Sequence, residues 1–203
     1  MKTTTKFWKL LPVAAAALAL GGCGGGGSDD SSDTQGDGKS IVDCFTANKT
    51  VSFSVTHTNV PTNSIPSTRS TTGPMTYNGQ TVTGQKFFYP SGNLTYTTSR
   101  YWTVTNSGVT FIAEVDYTGA ESPDKTFFPQ NMNPGQTATS FSNDISTFVG
   151  FETVILAGKT FSTCHFKGVD PQGNQAEGWY APEYGQIKVI EADGATTQYS
   201  GDL

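Results

Sequence analysis

From about residue 40 onward the chain alternates apolar and polar residues at the spacing of extended strands. Val51, Phe53 and Val55 fall on one side of a segment whose other side carries Ser52, Ser54 and Thr56, which predicts a strand with one wet face. Tyr101 to Thr105 and Val109 to Val115 flank Asn106-Ser107-Gly108, a short connection of the kind that closes an antiparallel hairpin. Further strands are predicted at Gln85 to Phe88, Leu94 to Thr98, Phe148 to Leu156, Thr160 to Val169, Ala176 to Tyr180, Gln186 to Glu191 and Thr196 to Ser200. Turn signals such as Asp170-Pro171-Gln172-Gly173-Asn174 separate them. No stretch repeats apolar residues at helical spacing for several turns. The expectation is an all-β domain over residues 40–203, antiparallel, with about ten short strands in a curved sheet, half-barrel, barrel or sandwich. Two stretches read as irregular: Pro61 to Gly73, rich in Pro, Ser and Thr, and Phe127 to Phe141, with Pro129, Pro134 and Gly135.

The N-terminus has a different pattern. Lys2, Lys6 and Lys9 precede an apolar run from Leu10 to Leu20, the layout of a secretory signal. The run is about half the ~20 apolar residues that a membrane-spanning helix needs. It ends in Leu20-Gly21-Gly22-Cys23, which resembles the bacterial lipobox. That resemblance implies cleavage between Gly22 and Cys23 and acylation of Cys23, so residues 1–22 are expected to be a lipoprotein signal peptide. Several acyl chains make a stable membrane attachment where one is marginal. Residues 23–39 carry the acylated cysteine and a Gly/Ser/Asp segment without a large apolar side chain, expected to be a disordered tether. Gly24 follows the cysteine where an aspartate would favour inner-membrane retention in lipoproteins of this kind. The expected location is therefore the cell envelope, at the outer membrane, facing the periplasm or the cell surface.

Removing Lys2, Lys6 and Lys9 with no acid takes the formal charge from −5 to −8. Nucleic acid is not an expected partner of so acidic a chain, because phosphate affinity comes mainly from lysine and arginine. Two motif decoys sit in the tether. Gly38-Lys39-Ser40 looks like the end of a phosphate loop, but Asp33 stands where its first glycine belongs. Asp33, Gln35, Asp37 and Gly38 faintly resemble a calcium loop whose bidentate Glu position is occupied by Cys44.

With Cys23 acylated, Cys44 and Cys164 remain, and an even pair in an oxidising compartment favours a disulfide. Closing so long a loop is worth somewhat above ~4 kcal/mol on the chain-entropy estimate, an upper figure. Cys164 and His165 are adjacent, so in a strand they point to opposite faces and cannot share a ligand sphere. His57 is the other histidine, and no triad, zinc or dinucleotide spacing is present. No metal or cofactor is expected.

Two C-terminal segments carry a family resemblance: Gly150 to Phe161 (GFETVILAGKTF) and Trp179 to Lys188 (WYAPEYGQIK). They are similar to a family of uncharacterised secreted bacterial β domains with a Glu-x-Val-x-x-x-Ala-Gly-x-Phe hairpin followed by a Trp-Tyr-Ala-Pro-x-x-Gly-x-Val-Lys turn. Lys159 and Thr160 lengthen the usual hairpin by one residue and Ile187 replaces valine. The motifs are structural. Ala157-Gly158 would turn one strand into the next with Val154 and Phe161 on one core, Pro182 would end a strand, and Gly185 would allow the reversal after it. The resemblance implies fold and no active site.

The leading expectation is a non-catalytic envelope lipoprotein that binds an envelope protein or an apolar ligand, held to the membrane through its lipid anchor. A second is a glycan- or surface-binding lipoprotein, based on Phe87-Phe88-Tyr89, Tyr101-Trp102, Phe127-Phe128 and Trp179-Tyr180, since adjacent rings in a strand place one on each face. A third is a hydrolase using Glu114, Asp116 and Glu152, of which Glu114 and Asp116 would share a strand face.

Overall fold

A computed structural model describes residues 39–56, 68–91, 94–140 and 142–202. The signal segment, Cys23, the tether up to residue 38, His57 and the stretch 61–67 lie outside the described residues. The described residues are all-β, with one short helix, α1 (Ile41–Cys44). Strands β1 (Thr50–Thr56), β2 (Thr68–Tyr77), β3 (Gln80–Ser91), β4 (Leu94–Thr105), β5 (Gly108–Val115) and β6 (Glu121–Pro123) form one antiparallel meander. After β7 (Phe127–Pro129), strands β8 (Thr137–Thr139), β9 (Ile145–Leu156), β10 (Lys159–Val169), β11 (Gln175–Ala181), β12 (Gly185–Ile190) and β13 (Thr196–Asp202) form a second. Pairing of β1 with β13 joins the two six-stranded arms, and the path from β6 to β8 does not close into a barrel. Strand β7 adds to the edge of β5 beside β6.

The turns follow residue chemistry. Leu156 pairs with Lys159 across Ala157 and Gly158, both at positive φ (48° and 78°), the primed turn whose twist matches its strands. Val154 and Phe161 pair directly and pack into one cluster with Tyr184, Ile187 and Tyr199. The β11–β12 reversal runs through Pro182 to Gly185, with Gly185 at φ 68°. A Cβ there would lie 2.9 Å from the Gln85 side-chain oxygen, so both conformation and space select glycine.

Helix α1 is a plug between the arms. Ile41 and Phe45 are fully buried, and Phe45 packs its ring against those of Tyr180, Phe111 and Phe128 at centroid distances of 4.6, 5.5 and 6.2 Å. Trp102 Nε1 donates to the Phe45 carbonyl at 2.8 Å. Cys44 is bridged to Cys164 of β10, which fastens the plug to the second arm. The segment behind it is stitched to the β11–β12 turn: Asn48 N donates to the Glu183 carbonyl and Glu183 N to that of Thr46.

Three features differ from the sequence expectation. Residues from Thr68 to Gly73, read as exposed loop, belong to β2. The stretch from Phe127 to Phe141 contains β7 and β8, each three residues long; β7 pairs back to β5 and β8 pairs with the following strand β9. The segments Leu94 to Thr98 and Tyr101 to Thr105 are one continuous strand, β4.

Candidate functional site

A cleft of about 60 Å³ opens between the arms. Its floor is aromatic: Phe45 from the plug, Phe111 from β5, Phe128 from β7, Phe166 from β10 and Tyr180 from β11. All five are buried. Phe128 and Phe166 lie 4.9 Å apart, so the floor is packed and rigid.

One wall is ionic. Arg100 on β4 and Glu114 on β5 are direct cross-strand partners, and Arg100 Nε donates to Glu114 Oε2 at 3.1 Å. A second guanidinium nitrogen donates to Gln186 Oε1 at 3.1 Å, tying the first arm to the second. Burial works against the charged guanidinium, but Glu114 together with the nearby Tyr180 and Glu191 outweighs it and holds the Arg100 pKa above its ordinary value. Below this pair, Gln85 completes the seam. Its amide nitrogen donates to Ser70 Oγ (3.1 Å) and to the Gln186 carbonyl (3.0 Å), and its oxygen accepts from Gln186 N (2.8 Å). The arms therefore meet through a polar seam on one side and an aromatic core on the other.

The rim carries two more carboxylates, Asp124 before β7 and Asp144 before β9. Asp124 Oδ1 is occupied by the Thr126 backbone N–H at 2.8 Å and by the Thr126 hydroxyl. Asp144 Oδ2 accepts from Ser142 Oγ at 2.7 Å. Its Oδ1 is sealed from solvent and has no hydrogen-bond donor among the described residues. Burial raises the Asp144 pKa, and the nearby charges of Asp124 and Asp170 push the same way.

The three carboxylates considered for hydrolysis do not converge. Glu114 lines the cleft, tied to Arg100. Asp116 lies past the end of β5 and organises an exposed turn, accepting from Thr118 N (2.8 Å), Thr118 Oγ1 (2.6 Å) and Ala120 N (3.0 Å). Glu152 sits on β9, where its Oε1 accepts from Trp179 Nε1 and lies 3.2 Å from His165 Nδ1. A strand turns its neighbouring residues apart, so Cys164 faces the aromatic core while His165 faces the other way. There the buried His165 ring stacks on Trp179 at 4.2 Å, and its Nε2 is 2.8 Å from Glu177 Oε2. The two ring nitrogens address different carboxylates on opposite sides, so this cluster cannot gather around one ion. Lys167 also pairs with Glu177 at 3.1 Å. Burial would raise the Glu177 pKa, but its bonds to Lys167 and His165 outweigh it and hold it below the usual glutamate range. Among the described residues no group of three His, Cys, Asp or Glu side chains could hold a metal ion.

The aromatic pairs split across the sheet: Trp102 and Phe128 are buried while Tyr101 is half-buried and Phe127 exposed. Trp179 and Tyr180 are both buried, on opposite faces of β11. The exposed Tyr96 and Tyr117 meet edge-on at 5.8 Å, and neither they nor Phe127 line the cleft. Sequence reasoning missed Arg100, Asp124 and Asp144, which come from three separate segments and carry no shared spacing.

No family model and no curated protein matches the chain. Two solved structures are similar to it. A Bacteroides fragilis NCTC 9343 protein, described as exported and of YmcC-like fold, aligns with a TM-score of 0.47 and 12% identity, covering 77% of this chain and 97% of its own. A Parabacteroides distasonis ATCC 8503 protein, described as a lipoprotein, aligns with a TM-score of 0.46 and 9% identity, covering 80% and 98%. At these values neither likeness assigns a fold family or a function to this chain, and the C-terminal resemblance rests on its motifs.

Proposed function

We propose that the chain is a lipid-anchored envelope protein whose β domain holds a partner in the cleft between its two arms rather than turning over a substrate. The anchor reading rests on Leu20-Gly21-Gly22-Cys23 behind a short apolar run, with a glycine- and aspartate-rich spacer before the first buried residues. With Gly24 after the cysteine, the reading extends to the outer membrane.

The observation that carries the binding reading is the cleft itself. Its floor is packed, its arginine is neutralised by Glu114, and the carboxylates that hydrolysis would need are dispersed to a wall, a turn and the far side of the sheet at β9. A site with fixed groups and no convergent nucleophile, acid and base is suited to recognition. Its volume of about 60 Å³ is far below the ~300 Å³ at which ordinary ligand pockets begin. The interior of the sheet is filled by Phe45 and its neighbours, which favours a protein partner over an apolar ligand. The glycan reading would need exposed rings in one groove, and those on the surface lie outside the cleft.

The test is a photo-cross-linking residue placed at Ser140, on the cleft rim, and separately at the exposed Thr153 of β9, in cells making the full chain. The reading expects a discrete adduct from Ser140 and none from Thr153. Equal adducts from both positions, or none from Ser140, would remove the cleft as the partner site.

A further inference from the structure

We infer that the outer face of the first arm, at Arg69, Lys86 and Phe88, docks on the anionic head groups of the bilayer to which the chain is anchored. This rests on the anchor reading and adds to it the orientation of the domain at the membrane.

Strand geometry builds the patch. Phe87 belongs to the buried cluster with Phe161 and Ile187, so its neighbour Phe88 faces the opposite side of β3. Arg69 pairs directly with Phe88 and Thr71 with Lys86, which sets Arg69 and Lys86 diagonally across β2 and β3 on that outer face. Both cations lie over the one ring, with Arg69 Cζ 4.7 Å and Lys86 Nζ 5.6 Å from its centroid. Arg69 is exposed, and Lys86 and Phe88 are half-buried.

Charge and reach point to the same partner. Lys49, Arg100, Lys159 and Lys167 each have a carboxylate partner, at 3.7, 3.1, 3.0 and 3.1 Å. Arg69 and Lys86 have none among the described residues, although acids outnumber bases in the chain. Like charges held side by side repel and gain from anions set against them. Glu121, which accepts from the Tyr77 hydroxyl at the far end of β2, is about 26 Å of strand from Arg69, well beyond the ~8 Å screening length. Residues 24–39 span at most about 55 Å when extended. They lead to the start of the plug, where Ile41 N donates to the Gln130 carbonyl and Gln130 N to that of Ser107, in the β4–β5 turn. From Thr105 at that turn back to Thr97, the partner of Phe88, is about 26 Å of strand. The patch therefore lies within the tether's reach of the lipid.

Two cations are few for a protein that must find a membrane from solution. An anchored domain is already there, so only its orientation is left to decide. An acidic domain is repelled by an anionic surface except through a basic face. Each lysine or arginine brought to such a surface favours that orientation by about fivefold.

The test uses the full mature acylated chain in vesicles of phosphatidylcholine, and of phosphatidylcholine with phosphatidylglycerol. With Cys23 acylated and Cys44 bridged to Cys164, an introduced cysteine is the free thiol that takes a fluorophore. One label goes on Thr71→Cys, beside the patch, and a control on Thr160→Cys, exposed on the second arm. A spin label on the lipid head groups reads proximity by quenching. The Thr71 label is expected to be quenched in phosphatidylglycerol vesicles, to be released by high salt, and to stay bright in phosphatidylcholine alone. The Thr160 label should stay bright in both. Arg69→Gln and Lys86→Gln should each cut the docked-to-free ratio by about fivefold, and Arg69→Lys should keep it, because a lipid surface reads charge.

The inference is overturned if the Thr71 label stays bright with phosphatidylglycerol, if phosphatidylcholine quenches it equally, if the Thr160 label matches it, or if both folded glutamine variants dock as before. Flotation of the same samples separates this from the anchor. A chain that floats with both vesicles while the Thr71 label stays bright keeps its anchor and loses the patch. One that floats only with phosphatidylglycerol, and no longer does so as Arg69→Gln, keeps the patch and loses the anchor. Flotation with neither removes both.

Discussion

Gln85 shows how single residues hold the two arms in register. It is 1% exposed, and its amide satisfies the backbone N–H and carbonyl of Gln186 together with the hydroxyl of Ser70, itself fully buried. Buried polar groups are cheap when every member is paired and costly when one is removed. Gln85→Ala would orphan three such groups at once, so it is expected to cost about 3 kcal/mol on the ~1–3 kcal/mol scale of a lost buried partner. Denaturant unfolding checks this, and a loss below about 1 kcal/mol would mean that water takes over the bonds. These residues also explain why part of the fold was hidden in the sequence. Ser70 and Thr72 are buried yet polar, so β2 lacks the apolar alternation that marks a strand. Thr72 is satisfied instead by the Lys49 carbonyl at 2.8 Å. The Asn78-Gly79 pair, at φ 47° and 77°, is the strong local signal that could have located the β2–β3 hairpin.

At the scale of elements, the C-terminal arm was the more legible. Its strands alternate around apolar positions, and Ala157-Gly158 and Gly185 mark their turns in the residues themselves. Helix α1 is four residues long, too short to show a helical period, although its role is large. Strands β7 and β8 are defined by the partners they pair with, β5 and β9, rather than by their own three residues. The Cys44–Cys164 bridge closes a separation of 120 residues and ties the plug to β10. The double variant Cys44→Ala/Cys164→Ala is expected to lose about 2–5 kcal/mol of stability, because the unfolded chain regains freedom and Phe45 loses its tie to the second arm. Thermal unfolding with and without reductant provides the check. A midpoint that reduction leaves unmoved would show that burial of Ile41 and Phe45 holds the plug without the bridge.

At the scale of the whole molecule, two six-stranded arms joined through β1 and β13 close on a single plug, and the cleft is what remains between them. The cleft could not be read in advance, since Arg100, Glu114, Asp124, Asp144 and Tyr180 are brought together only by the arms folding face to face. Of these, the sequence singles out Glu114, for a role its ion pair with Arg100 does not suit, and Tyr180, for a surface ring that is in fact buried. On the proposed anchoring at Cys23, the plug lies 21 residues further along the chain at Cys44, next to the cleft.

The measurement that bears most directly on this account is the intact mass of the mature chain purified from its native envelope. The account predicts a polypeptide that starts at Cys23 and carries the added mass of acyl chains on that residue. A chain that retains residues 1–22, or one that starts at Cys23 without lipid, would contradict it.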